Sequence, residues 1–289
     1  LQTEKFMLFL IFSVLASVSV SLLLKFARAR SLSIEQMVAC NYWVAIALTL
    51  LFLQPDIALT AQSAQFSSAA LWLLLGILLP SVFVAMGRAV ATAGIIKSDA
   101  AQRLSLFLPV LAAFTLFGEA IVPHRLAGLV LAMLALCGVL YKPEKSQPRS
   151  SWWLLAVWLG YGVIDILFKQ LSKQGTAFAG SLLMVFSLAA VLMSAYLWRR
   201  KTQWHRWNVL AGMLLGVLNF LNILFYIKAH QAFKESPTLV FAGMNMGVIV
   251  LGTLAGAFVF RERVNPLNWA GIVLALSAIA CLYYGQSFF

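Results

Sequence analysis

Ten separate stretches of this chain are apolar over roughly 17–25 residues, the length a helix needs to cross the hydrocarbon of a bilayer. They fall at residues 6–25, 35–53, 70–93, 99–118 and 123–141, and again at 152–171, 178–198, 207–230, 236–260 and 266–285. Each is expected to be a helix, because a lone strand leaves its amide groups without partners in lipid. Hydrophobic residues make up 62% of the chain and charged residues 10%, more apolar surface than a water-soluble domain of this size can bury. The first stretch has Ala27 and Ala29 spaced like a signal-cleavage site. Residues 6–24 are uncharged without a break, however, and Lys25 comes before the alanines. It is expected to remain as the first span. The fold class that follows is an all-α integral membrane protein with ten transmembrane helices.

The net charge of +12 is spread as single basic residues between the apolar runs. That distribution fits anchoring at an anionic membrane surface and gives no nucleic-acid stripe. Cys40, Cys137 and Cys281 all lie in apolar stretches, and no pair has metal-ligand spacing. No metal and no cofactor is expected. Catalysis is not expected either: the sequence holds no HExxH, no GxSxG and no span with paired carboxylates.

One phrase is written twice. FGEAIVPHRLAG (117–128) returns as FRERVNPLNWAG (260–271), with Phe117, Glu119, Pro123, Ala127 and Gly128 matched by Phe260, Glu262, Pro266, Ala270 and Gly271. Proline at the first turn of a helix forfeits no hydrogen bond, so Pro123 and Pro266 are expected to start the fifth and tenth spans. Glu119 and Glu262 precede those starts, where a negative charge meets the positive end of the helix dipole. Gly128 and Gly271 allow another helix to approach closely. Between the copies, KPEKSQPRSS (142–151) is polar and broken by Pro143 and Pro148, as a linker should be. The chain thus divides into a five-span repeat at 1–141, a linker at 142–151 and a second five-span repeat at 152–289. Five is odd, so the second repeat enters the membrane from the opposite side. Inverted repeats of this kind surround a central path in secondary transporters.

Polar side chains inside spans are costly and mark functional positions. Ser13, Ser17, Ser21 and Lys25 recur four residues apart on the first span, along one slowly drifting face. Shifted by 144, the last three become Tyr161, Asp165 and Lys169 on the sixth. Asp165 is the acidic residue deep in a span; it is either satisfied by Lys169 four residues on, or a site for a proton or an amine. Lys25 is a further coupling candidate. Gln102 and Arg103 lie about one turn inside the fourth span, with Asn245 at corresponding depth in the ninth. Arg103 either snorkels to the headgroups or offers a cationic fork to a carboxylate. The eighth span adds Asn219, Asn222, Tyr226 and His230, the last read as a helix-end packing residue; Asn41 lies within the second.

The segments FGEAIVPHRLAGLVLAMLALCGVLY and FRERVNPLNWAGIVLALSAIACLYY, the Lys-terminated first and sixth spans, and the stretches ACNYWVA, GVIDILFK and NMGVIVLGTLAG together resemble the drug/metabolite transporter superfamily, of the ten-helix EamA-like type. The resemblance runs through almost the whole chain. It implies a central cavity lined mainly by helices one, three, four, six, eight and nine, with helices five and ten behind. The expected function is secondary transport of a small polar metabolite, such as an amino-acid-like solute, by alternating access. Arg103 departs from the common pattern and argues for a solute that is not purely neutral. A lipid-handling or scaffold protein, and less readily an intramembrane enzyme, are the other readings. The expected partners are the solute and the lipid bilayer, not nucleic acid, in a monomer or homodimer of the bacterial inner membrane.

Of the 21 Lys and Arg residues, 15 lie in the connections after odd-numbered spans or in the adjoining span ends, with the densest cluster at WRRKTQWHRW (198–207). By the positive-inside rule both termini face away from the cytoplasm. A reporter fused to the C-terminus and active only in the cytoplasm should therefore stay dark. A bright signal reverses the orientation.

Overall fold

Proline opens three of the helices, at Pro123, Pro237 and Pro266, where its missing N–H would have had no partner in any case. The computed structural model describes residues 2–56, 60, 66–93, 95–120, 122–140, 152–174, 177–260 and 265–284. The helices are α1 (Gln2–Ala29), α2 (Ile34–Leu48), α3 (Phe66–Ala93), α4 (Ile95–Leu104), α5 (Phe107–Thr115), α6 (Pro123–Leu140), α7 (Trp152–Ser172), α8 (Phe178–Arg199), α9 (Arg206–Ala232), α10 (Pro237–Phe260) and α11 (Pro266–Tyr284). A π turn, Thr49–Leu53, ends α2. The linker at 142–151 and Glu262 lie outside the described residues.

Seven of these helices are long and apolar enough to cross a membrane, and three shorter apolar ones span Ala100–Thr115, Pro123–Gly138 and Pro266–Leu282. Large apolar side chains such as Leu51, Phe52, Trp198 and Phe258 point outward, as they should where lipid is the solvent. The chain is an all-helical, multi-pass membrane protein.

The fourth apolar stretch is not the single helix its composition promised. It is broken into α4 and α5 around Ser105, and Pro109 is the cause. Its ring displaces the i−4 carbonyl, that of Ser105, and it has no N–H to donate. The turn is repaired with shorter-range bonds: Ser105 N to Gln102 O at 3.3 Å, Leu106 N to Arg103 O at 3.2 Å and Leu108 N to Ser105 O at 3.0 Å. The Ser105 hydroxyl also donates to Gln102 O, at 2.5 Å. The freed Leu104 carbonyl accepts a hydrogen bond from Trp158 Nε1 of α7 at 3.0 Å. Every carbonyl from Gln102 to Ser105 is therefore satisfied, as non-helical backbone at membrane depth requires.

Helices α6 and α11 form the most extensive pairing. Helix α9 lies against α1 and α2, while α3 lies against α7 and α8. Helix α10 packs on α1 and α5, α7 on α4 and α5, and α2 on α8. Small residues set the spacing. A Cβ on Gly128 would sit 2.7 Å from Leu282 Cγ, and one on Gly138 only 3.1 Å from Gly271 Cα and 3.3 Å from the Leu267 carbonyl. Gly128 and Gly271 both lie at this seam of α6 and α11. Asn268 Nδ2 crosses the same seam to Gly138 O at 3.2 Å.

Backbone atoms cannot move aside as a flexible side chain can. Gly138→Val should cost about 1–3 kcal/mol, whereas Gly87→Ala, with nothing within 4 Å of its new methyl, should be nearly neutral. Thermal unfolding of the two variants in detergent checks this, and equal midpoints would contradict the seam's tightness.

Candidate functional site

Asp165 and Lys169 are four residues apart on α7 but do not pair with one another. The Asp165 carboxylate accepts a hydrogen bond from the Tyr226 hydroxyl of α9 at 3.1 Å. Lys169, 1% exposed, donates from Nζ to the carbonyl of Lys234 at 3.0 Å, just past the end of α9. The pairing read from spacing is thereby corrected. Each group finds a partner on or beyond α9, at a different height, and an ammonium at a helix C-terminus meets the negative end of the dipole. Asp165 remains partly open, whereas Tyr226 is buried.

Glu119 also differs from expectation. It does not serve the start of its own following helix. Gly118 takes a left-handed turn (φ +67°) after α5, a conformation glycine adopts without strain. Glu119 then reaches the N-terminus of α10: Oε2 accepts from Thr238 N at 2.9 Å and from Thr238 Oγ1 at 2.6 Å. Its other oxygen takes Arg125 Nη1 of α6 at 3.0 Å, in an ion pair whose carboxylate side chain is fully buried. A carboxylate on the free N–H groups of a helix start is a favourable arrangement, but the helix concerned is far along the chain. Lys173 stacks its ammonium 4.6 Å from the Phe117 ring centroid, and Glu119 is within electrostatic reach of Lys169. One end of the bundle is thus bound by a clamp joining the junction of α5 and α6 to α7, α9 and α10.

At mid-depth a second polar set joins α1 to α9 and α10. Ser13 is fully buried, and its hydroxyl lies 2.9 Å from Asn222 Oδ1, 3.1 Å from Asn222 O and 3.4 Å from Met244 Sδ. Asn219 is buried on the same helix as Asn222. Ser21 donates to the Ser17 carbonyl of its own helix at 3.1 Å and is exposed, so the serine stripe divides between helix packing and self-satisfaction. Lys25 is partly buried. Tyr161 is partly buried one turn before Asp165. Asn245 spends its amide on the Phe241 carbonyl, one turn back in α10, at 3.0 Å.

Arg103 and Gln102 occupy the last turn of α4, beside the break. A Cβ on Gly252 would lie 3.9 Å from Arg103 Nη2, so the guanidinium is laid on α10. Gly252 and Asn245 are seven residues apart on one helix face, about 10 Å along the axis. Arg103 and Asn245 therefore address the same helix without touching. A cleft of about 310 Å³ lies between α3 and α7, lined by Leu78, Val82, Trp153, Gly160 and Val163 among others. It is mostly apolar and includes none of the polar positions expected to line a central cavity. Among the described residues no cluster of His, Cys, Asp and Glu is arranged to hold a metal ion.

An uncharacterized protein of Haemophilus influenzae is 53% identical over 282 residues, covering 95% of this chain and 97% of that one. The two belong to one family. An uncharacterized transporter of Bacillus subtilis, YwfM, is 24% identical over 165 residues, 46% of this chain and 54% of its own. A crystal structure of a protein 15% identical superposes over 98% of both chains with a TM-score of 0.67, so the fold is shared with a known structure. No family model matches the chain.

Sequence reasoning missed Thr238, Trp158 and Tyr42 as participants. Thr238 follows Pro237 at a helix start and was open to being a cap; its partner Glu119 is 119 residues away, beyond any local pattern. Asn41 and the Tyr42 hydroxyl are buried on α2 with no hydrogen-bond partner.

Removing the Glu119 carboxylate strands partly buried Arg125 and the Thr238 N–H together. Glu119→Ala should cost about 3–5 kcal/mol, the range for breaking a buried pair by deleting one member. Glu119→Gln, which still offers an acceptor, should cost less. Unfolding midpoints of both against the native protein decide it; an unchanged midpoint for Glu119→Ala means the clamp contributes nothing.

Proposed function

We propose that this chain is a secondary transporter of the drug/metabolite transporter type, built from two inverted five-helix repeats. It moves a small polar metabolite across the bacterial inner membrane by alternating access. One observation carries the reading: the helix contacts come in exchanged pairs. If spans one to five correspond to six to ten, the contact of span one with span eight (α1 and α9) answers that of span six with span three (α7 and α3). Span two on eight answers seven on three, and span one on nine answers six on four. Spans two on seven, four on nine and five on ten map onto themselves. A two-fold axis in the membrane plane produces this pattern, and the solute site of such transporters lies near that axis. The description of the Bacillus subtilis relative as a transporter supports the same class.

The polar groups near that axis define the solute. Asp165 with Tyr226 suits an amine, and Arg103 at the broken end of α4 suits a carboxylate. Gln102, Asn245, Asn219, Asn222, Tyr161, Ser17 and Ser21 supply neutral hydrogen bonds. The expected solute is a zwitterion such as an amino acid. Both termini lie outside the cytoplasm.

A thermal-shift screen of the purified protein against amino acids, sugars, nucleosides and organic acids tests the reading. A ligand bound by the folded state alone raises its stability by mass action. Uptake of the hit into proteoliposomes should then saturate. Arg103→Lys keeps the charge but loses the planar fork, and its affinity should fall by roughly 1.5–3 kcal/mol. Arg103→Gln should abolish binding while remaining folded. Normal uptake by Arg103→Gln removes the carboxylate site, and no saturable uptake of any class removes the transporter.

A further inference from the structure

His230 is fully buried near the end of α9, and neither Nδ1 nor Nε2 has a hydrogen-bond partner. Its ring stands edge-on between those of Tyr226 and Phe241, with centroids 4.8 Å away on each side. A neutral imidazole carries one donor and one acceptor. Two polar atoms are therefore left unsatisfied in the interior, which native proteins avoid unless the group has work to do.

The surroundings decide what that work is. From α7, the buried Lys169 ammonium is within electrostatic reach of the imidazole, and the Asp165 carboxylate is occupied by Tyr226. On α9 itself, Lys228 turns away over the Phe9 ring at 5.7 Å, and Lys234 presents a carbonyl to Lys169. From α10 the facing group is Phe241, one turn from Thr238, which Glu119 holds. The pairings of Ser13 with Asn222 and of Gly216 with Asn41 carry α1 toward Glu4 and Lys5, and the chain after α2 toward Asp56, on the side of this end. An imidazolium here would have the Lys169 ammonium beside it and no acceptor on either ring nitrogen, an arrangement held while this end is shut. The Glu119 clamp and the Lys169 bond to Lys234 are what shut it. Opening them admits water to both ring nitrogens and separates Lys169 from the ring.

We infer that His230 is a proton-binding site whose occupancy follows the opening of the membrane end that Glu119 clamps. The proton comes from the entering water and rests on the ring nitrogen that was the acceptor. The inference rests on the alternating-access reading for its use in coupling, but its chemistry is testable without a solute.

The full chain has three histidines, so histidine-selective ¹⁵N labelling yields a spectrum assignable with His124→Gln, His205→Gln and His230→Gln. In native protein at pH 6 and below, His230 should keep the neutral-imidazole signature. In Glu119→Gln and in Thr238→Val, both of which loosen the clamp, His230 should become protonated at the same pH. Should Glu119→Gln fail to fold, Thr238→Val carries the test, since it deletes one hydroxyl and keeps the backbone donor. A His230 that is neutral in all folded variants, or protonated in native protein at pH 6, overturns the site. Saturable uptake with a non-titrating His230 would sink the proton site alone, whereas a clamp-dependent His230 without uptake of any solute would sink transport alone.

Discussion

The Leu104 carbonyl shows how an apolar span constrains its backbone. A backbone oxygen left without a partner in such a span costs several kcal/mol. Pro109 releases it, and Trp158 of α7 takes it up. The break thus falls where an indole of α7 is at hand. That coupling fixes the position of Arg103, whose own carbonyl is used in the turn and whose guanidinium is carried against α10 at Gly252. A continuous fourth helix would lack this particular register. The break and the placement of the charge are a single arrangement.

The clamp at Glu119 is subject to the same rule from the other direction. At the start of α10 the Thr238 N–H takes its acceptor from the junction between α5 and α6. One carboxylate meets a helix start and a guanidinium together, so three elements are fixed by one buried side chain. Lys169 does the corresponding task at a helix end, on the Lys234 carbonyl. These bonds tie the two halves of the chain at one end of the bundle. They are polar, and so can be exchanged for water at modest cost if that end opens. The seam of α6 and α11 is different: it is tight, nearly glycine-on-glycine, and offers no such exchange.

How much of this was legible in the residues follows from the range of each interaction. The apolar runs and their proline starts are local, and Pro123 and Pro266 open their helices as their sequence position implies. The break at Ser105 was also locally encoded, since Pro109 stands four residues on, but a uniformly apolar stretch masked it. Gly128 and Gly271 announced close packing through their repetition. By contrast, the spacing of Asp165 and Lys169 pointed to an ion pair that α9 forestalls, because Tyr226 and the Lys234 carbonyl are nearer partners than the residues are to each other. Spacing on one helix says which face two residues share. It does not say what the facing helix offers.

The polar residues also sort by depth in a way that bears on mechanism. Ser13 and Asn222 at mid-depth satisfy each other across α1 and α9, so they hold those helices together at no net polar cost. Asn41 and Tyr42 on α2, like His230 on α9, are buried with unmet hydrogen-bonding capacity. A chain selected only for packing would place apolar side chains of similar volume there, as buried polar groups without partners are replaced at a gain. Their retention at two separate heights is understandable if the dry state is one of two. On the proposed alternating-access cycle, helices joined by exchangeable polar bonds would part and wet those atoms, while the glycine seam behind them stays shut. The unsatisfied groups would then favour opening by the same free energy they cost when closed, bringing the two conformations closer in stability.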